Sequence, residues 1–155
     1  MPFSPFYTLF PDIAFDETRS ITVLQEQPGK LPADEYAFLE MSCNESGCDC
    51  RRVMFSVLSR KTEKMMAVIS WGWEKSEFYG KWLPHSTPAD ILALKGPSLN
   101  ELSPQSKYAP AILDLVRDIL LQDVNFVERI KRHYRMFRDA IDSPQRSLRR
   151  KRKRR

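Results

Sequence analysis

The chain has 155 residues, 42% of them hydrophobic, which suffices for one domain with a real core. No apolar run approaches the roughly 18 residues of a membrane span, and three cysteines are too few, and odd in number, for a secreted disulfide framework. The net charge of +5 is unevenly placed: residues 129–155 hold 13 Lys/Arg against Asp139 and Asp142, so the rest of the chain is net negative.

Residues 1–18 are rich in proline and aromatics, and predict an extended arm resting on the body through Phe6, Tyr7 and Phe10. They lack a basic leader and a small-residue cleavage site, which points to the cytoplasm, or the nucleus in a eukaryote. A strand is expected over 19–27, around Ile21, Thr22 and Val23, closed by the turn pair Pro28-Gly29. Residues 35–42 alternate, with Tyr36, Phe38 and Glu40 on one face. Two further alternating strands follow over 52–59 and 65–73, joined by the polar hairpin loop 60–63. Residues 74–104 are irregular, though Thr87 and Pro88 are placed as N-cap and first residue of a short helix. Two amphipathic helices come last. Ile112, Leu115, Val116, Ile119 and Leu120 form the stripe of the first. Asp123 caps the second, Phe126, Val127, Ile130, Tyr134, Phe137 and Ile141 line it, and Ser143-Pro144 ends it.

The connection between the strands 35–42 and 52–59 holds every cysteine, in the run Cys43-Asn-Glu-Ser-Gly-Cys48-Asp-Cys50. Three thiolates on one tight loop suit a soft, tetrahedral cation, zinc above all. A fourth ligand is then needed, and the chain has two histidines. His133 falls on the buried stripe of the last helix and is the expected fourth ligand. His85, in a proline-flanked loop, and Asp49, between two of the cysteines, are the alternatives. A Cys3His site is closed and structural. Arg51 or Arg52 would offset its negative charge, or simply solubilise a strand edge.

The last helix carries a basic row, Arg129, Lys131, Arg132, Arg135 and Arg138. Arg146 and the block Arg149, Arg150, Lys151, Arg152, Lys153, Arg154 and Arg155 extend it. Such a run attracts polyphosphate through counterion release, so DNA, RNA or a ribonucleoprotein is the expected partner. The aromatics Trp71, Trp73, Phe78, Tyr79 and Trp82 have more acidic than basic company and read as packing, with a protein-docking surface as the other reading. No nucleotide-binding loop, nucleophile elbow or zinc-protease motif is present, so no catalytic residue is assigned.

The phrases CNESGCDCRRV (43–53), AVISWGWE (67–74), LSPQSKYA (102–109) and RIKRHYRMFR (129–138) resemble a family of small bacterial proteins with a C-x4-C-D-C-R-R motif. Some of these are associated with the SEC-C zinc-binding module found at the C-terminus of the SecA translocase. The resemblance covers residues 35–140 and implies that Cys43, Cys48, Cys50 and His133 form one site, without a catalytic activity. The full expectation is an α+β domain over 19–142, with an antiparallel sheet of about four strands packed by two C-terminal helices, and a disordered basic tail over 143–155. It is a non-catalytic, zinc-stabilised interaction module held on nucleic acid by its tail. The alternatives are a zinc-dependent hydrolase or nuclease with an open metal position, and a protein adaptor using the Trp71 to Trp82 aromatics.

Overall fold

The computed structural model describes residues 2–26 and 30–153, with side chains as far as Ser143. Among the described residues, six strands form one antiparallel sheet: β1 (Phe3–Pro5), β2 (Arg19–Val23), β3 (Asp34–Cys43), β4 (Arg52–Ser59), β5 (Met65–Gly72) and β6 (Ser98–Leu99). Five α-helices accompany it: α1 (Pro11–Glu17), α2 (Ser76–Gly80), α3 (Pro88–Lys95), α4 (Ala109–Asp118) and α5 (Val124–Lys153). The α+β class and the antiparallel meander β3–β4–β5 agree with the sequence pattern. β1 and β2 both pair with β3, at its Met41–Cys43 end and its Asp34–Phe38 end respectively.

The period of two decides which residues enter the core. Tyr36 and Phe38 of β3, Val53, Phe55 and Val57 of β4, and Ala67, Ile69 and Trp71 of β5 share one buried cluster. Ala109, Ile112 and Val116 of α4, with Phe126 and Ile130 of α5, cover it. Phe55 and Phe126 meet at 5.8 Å between ring centroids, which ties the middle of the sheet to α5. Burying one such side chain contributes on the order of 1.5–3 kcal/mol.

α3 starts where expected, with a complete capping box between Thr87 and Asp90 and Pro88 in its first turn. Asp123 Oδ1 accepts from the backbone N–H groups of Asn125 and Phe126, as an N-cap should. Lys95 reaches from the end of α3 to the carbonyls of Gly72 and Glu74.

Two expectations are corrected. The expected extended arm over 1–18 is not what residues 2–18 form: they contain β1, a 3-10 turn over Phe6–Thr8, and α1. Pro11 sits in the first turn of α1, where a missing N–H costs nothing, so it opens a helix instead of preventing one. Phe6 and Ala14 pack with Phe137 of α5 in a second small core, while Tyr7 stays exposed. The backbone of α5 also continues past Ser143-Pro144. The expectation of a disordered tail falls on side chains that lie outside the described residues, as Arg154 and Arg155 do entirely.

Gly72 marks a tight approach. A Cβ there would overlap the ring and hydroxyl of Tyr79. That hydroxyl accepts from Glu74 N and donates to Arg51 O at 2.9 Å, bracing the start of β4. Gly72→Ala is expected to destabilise the fold by about 1–3 kcal/mol through overpacking, read as a lowered urea midpoint with an unchanged slope.

Candidate metal centre

β3 ends at Cys43 and β4 begins at Arg52, so the loop between them leaves and re-enters neighbouring strands of the sheet. Gly47 adopts φ +72, which glycine accepts without the penalty of a Cβ. Helix α5 grips this loop with three side chains spaced four apart, on one face. Tyr134 Oη accepts from Arg51 N at 3.1 Å and donates to Asp49 Oδ1 at 3.3 Å. The Arg138 guanidinium donates to the carbonyls of Cys43, Glu45 and Cys48 at 2.7–2.8 Å. Asp142 Oδ1 accepts from Gly47 N at 2.9 Å. On the other side, Asn44 is tied to Pro2 O and Ser4 Oγ.

This framework brings Cys43, Cys48 and Cys50 together. Their Sγ atoms all lie within 4.8 Å of one another, and all three are free thiols. Cys43 and Cys50 are buried and Cys48 is half-buried, packed with Tyr134, Phe3 and Trp73. Sulfurs sharing a tetrahedral zinc stand roughly 3.8 Å apart, given Zn–S bonds of about 2.3 Å, so a small contraction would seat the ion. As thiols, Cys48 and Cys50 are poorly suited to ionise. Burial, then the neighbouring Cys43 and Cys48, push Cys50 up to about 12. Burial also raises Cys48, with Cys43 beside it adding to the shift. A bound cation reverses that logic and deprotonates a coordinating thiol outright. Soft donors, a preformed cluster and a protein cage together fit a zinc ion.

His133 is not part of this group. It is buried, as its place on the α5 stripe predicts, but both ring nitrogens are committed elsewhere. Nδ1 lies 2.8 and 3.1 Å from the Glu40 carboxylate oxygens of β3. Nε2 lies 2.5 Å from Glu17 Oε2 at the end of α1, and the ring stacks on Phe6 at 4.4 Å. The reason is helix phase: one residue is about 100° of rotation, so Tyr134 faces the cysteine loop and His133 faces β3 and α1. His85 is exposed in the loop after α2 and also lies outside the thiol group. Asp49 is held by Arg51, with contacts of 2.9 and 3.1 Å.

Arg52 follows Cys50 by two residues and opens β4. It is buried, its Nε donates to Leu94 O, and burial lowers its hold on its proton from the ordinary arginine value. Arg51 lies outward between Asp49 and Glu74, over the Phe78 ring.

The expected basic row is largely engaged within the molecule. Arg138 is a buried clamp and not a surface contact, because it stands four residues after Tyr134 on the packed face. Arg129 donates to Glu17 O, and Arg132 binds both Glu17 oxygens at 2.6 and 2.7 Å. Lys131 pairs with Glu128 at 3.3 Å. Arg135 is exposed. The side chains of Arg146, Arg149, Arg150, Lys151, Arg152 and Lys153 lie outside the described residues, as do Arg154 and Arg155. Of the aromatic group, Trp71 and Tyr79 are buried, Trp73 meets Tyr134 edge-on at 4.9 Å, and Phe78 packs against Tyr79. Of the five, Trp82 alone is exposed, which favours packing over a docking surface.

Glu40 and Glu17 were not singled out by sequence. Glu40 gave a signal: it shares the inward register of Tyr36 and Phe38, where a carboxylate demands a partner. Among the described residues, no helix is long and apolar enough to cross a membrane. No family model, curated protein or solved structure matches the chain.

Proposed function

We propose that this chain is a zinc-held, non-catalytic interaction module, and that its basic C-terminal segment associates with nucleic acid or a ribonucleoprotein. The observation that carries the metal centre is the convergence of Cys43, Cys48 and Cys50 to within 4.8 Å. The resemblance of the cysteine phrase to a family of small bacterial proteins, some of them associated with SEC-C zinc-binding modules, is consistent with that reading. A non-catalytic role is supported by the burial of two of the three thiols and by the commitment of His133 and Asp49 to internal partners. A base already held by two groups is poorly placed to move a substrate proton.

The zinc part is tested by metal content on protein purified without a histidine tag or added metal. One zinc per chain is expected in the wild type and in His133→Gln, with loss in Cys43→Ala or Cys50→Ala. Zinc that persists when all three cysteines are replaced would sink the assignment.

The nucleic-acid part rests on charge. Residues 146–155 contribute eight Lys/Arg and no acid. A polycation making about six to ten phosphate contacts loses roughly 10³–10⁵ in affinity between 50 and 200 mM salt. Deleting 146–155 is expected to remove salt-sensitive retention on a single-stranded or duplex oligonucleotide while leaving the urea melt unchanged. Retention that survives the deletion would contradict the role given to the tail.

A further inference from the structure

We infer, resting on the nucleic-acid association proposed above, that the folded body holds one base of a single-stranded nucleic acid, stacked on Trp73 in a hollow between the end of β5 and α5, with the adjoining phosphate on Arg135. The hollow has a volume of about 280 Å³. That lies just under the roughly 300–1,000 Å³ of small-molecule sites, a size for one ring system and not for a protein surface. Trp73, directly after β5, and Tyr134 of α5 form its aromatic wall. The two rings meet edge-on at 4.9 Å and 77°, a contact that occupies at most one face of Trp73. The residue is half-buried, so its ring is anchored and still reaches the hollow. A fixed, partly open indole is a stacking platform for any base.

Charge turns the base inward and the phosphate outward. Asp49 and Glu74 border the hollow, and both are held by Arg51. Two carboxylates repel a phosphate, while the amino and imino groups of an uncharged base can donate to them. With Arg51, Lys131 and Arg135 the lining carries three cations against those two anions, which disfavours a cationic guest such as a lysine side chain.

The phosphate position follows from the outer row of α5. Arg129 and Arg132 are tied to Glu17, and Lys131 to Glu128. Arg135 is exposed and has no ion pair or hydrogen bond among the described residues. A free guanidinium at the rim is placed to take a phosphate whose base lies in the hollow. The backbone of α5 runs on to Lys153. The basic segment from Arg146 therefore begins about 16 Å further along the same helix, where one strand can engage both.

The test compares the full chain on two single strands of equal length, oligothymidylate and its abasic counterpart, over a salt series. Both carry the same phosphates, so a grip on phosphate alone binds them equally. Stacking on one aromatic is worth a factor of about five to a hundred, and the thymidylate strand is expected to bind tighter by that factor at each salt concentration. Trp73→Leu is expected to bring the ratio to one, whereas Trp82→Leu leaves it in place. Arg135→Ala is expected to weaken both strands alike and to reduce the salt slope by about one. Irradiation of a strand carrying 5-iodouracil reads the site in the unaltered chain, with the crosslink expected on Trp73 or Tyr134. Equal binding of the two strands with a steep salt dependence would overturn the stacking site and leave the role of the tail standing. So would a ratio that survives Trp73→Leu, or crosslinks confined to other residues. A slope unchanged by Arg135→Ala would overturn the phosphate position. Retention of neither strand at low salt would remove the nucleic-acid reading itself, and this inference with it.

Discussion

Arg138→Ala is expected to destabilise the protein by about 3–5 kcal/mol and to weaken metal binding, although Arg138 touches no thiol in the hydrogen-bond network. The substitution removes a planar donor from three carbonyls of one loop, those of Cys43, Glu45 and Cys48. Glu45 O keeps the Cys48 N–H, so the loss falls on the carbonyls of Cys43 and Cys48, where each buried acceptor left unmatched costs roughly 1–3 kcal/mol and water entering the gap recovers part of the sum. Loss of the clamp also frees the loop to move Cys43 and Cys48 apart, so a bound metal would then have to contribute the ordering itself. Arg138→Lys is expected to recover less than half of the loss, because one ammonium cannot reproduce the fork geometry. Urea unfolding gives the stability, and competition with a chromophoric chelator gives the affinity. A phosphate-contacting role predicts the opposite pattern: an unchanged melt, unchanged zinc affinity and a shallower salt slope on oligonucleotide.

That contrast shows where sequence reasoning reaches and where it stops. β4 and β5 were legible because Val53, Phe55, Val57 and Ala67, Ile69, Trp71 alternate cleanly, and one face of each enters the core. The thiol cluster was legible because ligand types are rare and the loop confines them. β1 was not, since its three residues pair through the backbone with Met41, Ser42 and Cys43 and carry no alternation of their own. The burial of His133 followed from its phase, but its aim did not. A rotation of 100° between neighbours decides whether His133 or Tyr134 meets the loop, and the strand that supplies Glu40 must be placed before that choice can be made. Arg138 was misplaced for a related reason. Its spacing from Tyr134 and Ile130 puts it on the buried stripe, yet its charge drew it into the solvent row.

Glu40→Ala is expected to cost about 3–5 kcal/mol, by leaving the buried His133 with one carboxylate partner in place of two. His133 sits between Glu40 and Glu17, and Glu17 also binds Arg132. Two acids and two bases thus close a set without excess charge, with His133 and Glu40 buried and Arg132 at the surface, provided the imidazole is protonated and donates from both nitrogens. Burial alone would lower the affinity of His133 for that proton, but hydrogen bonds and charge from Glu40 and Glu17 overcome it and raise the pKa above the ordinary 6.5. The His133 hydrogen bond, with further help from Arg132, holds Glu17 below its ordinary 4.5 against the opposing effect of burial. The histidine contribution to stability is therefore full below 6.5 and is lost as pH rises through the raised folded value. The Glu17 contribution is full above 4.5 and is lost as pH falls through the lowered folded value. The stabilisation from this set is greatest between those limits and declines on both sides. Glu40→Gln keeps an acceptor for Nδ1 but removes its charge, so the alkaline loss should begin at lower pH than in the wild type. Urea midpoints of the two proteins, compared from pH 5 to 9 in the same metal state, check this, with the His133 ring resonances followed by NMR. Parallel stability curves, or a His133 that titrates at or below 6.5 in the wild type, would show that the carboxylates position the ring without holding its charge.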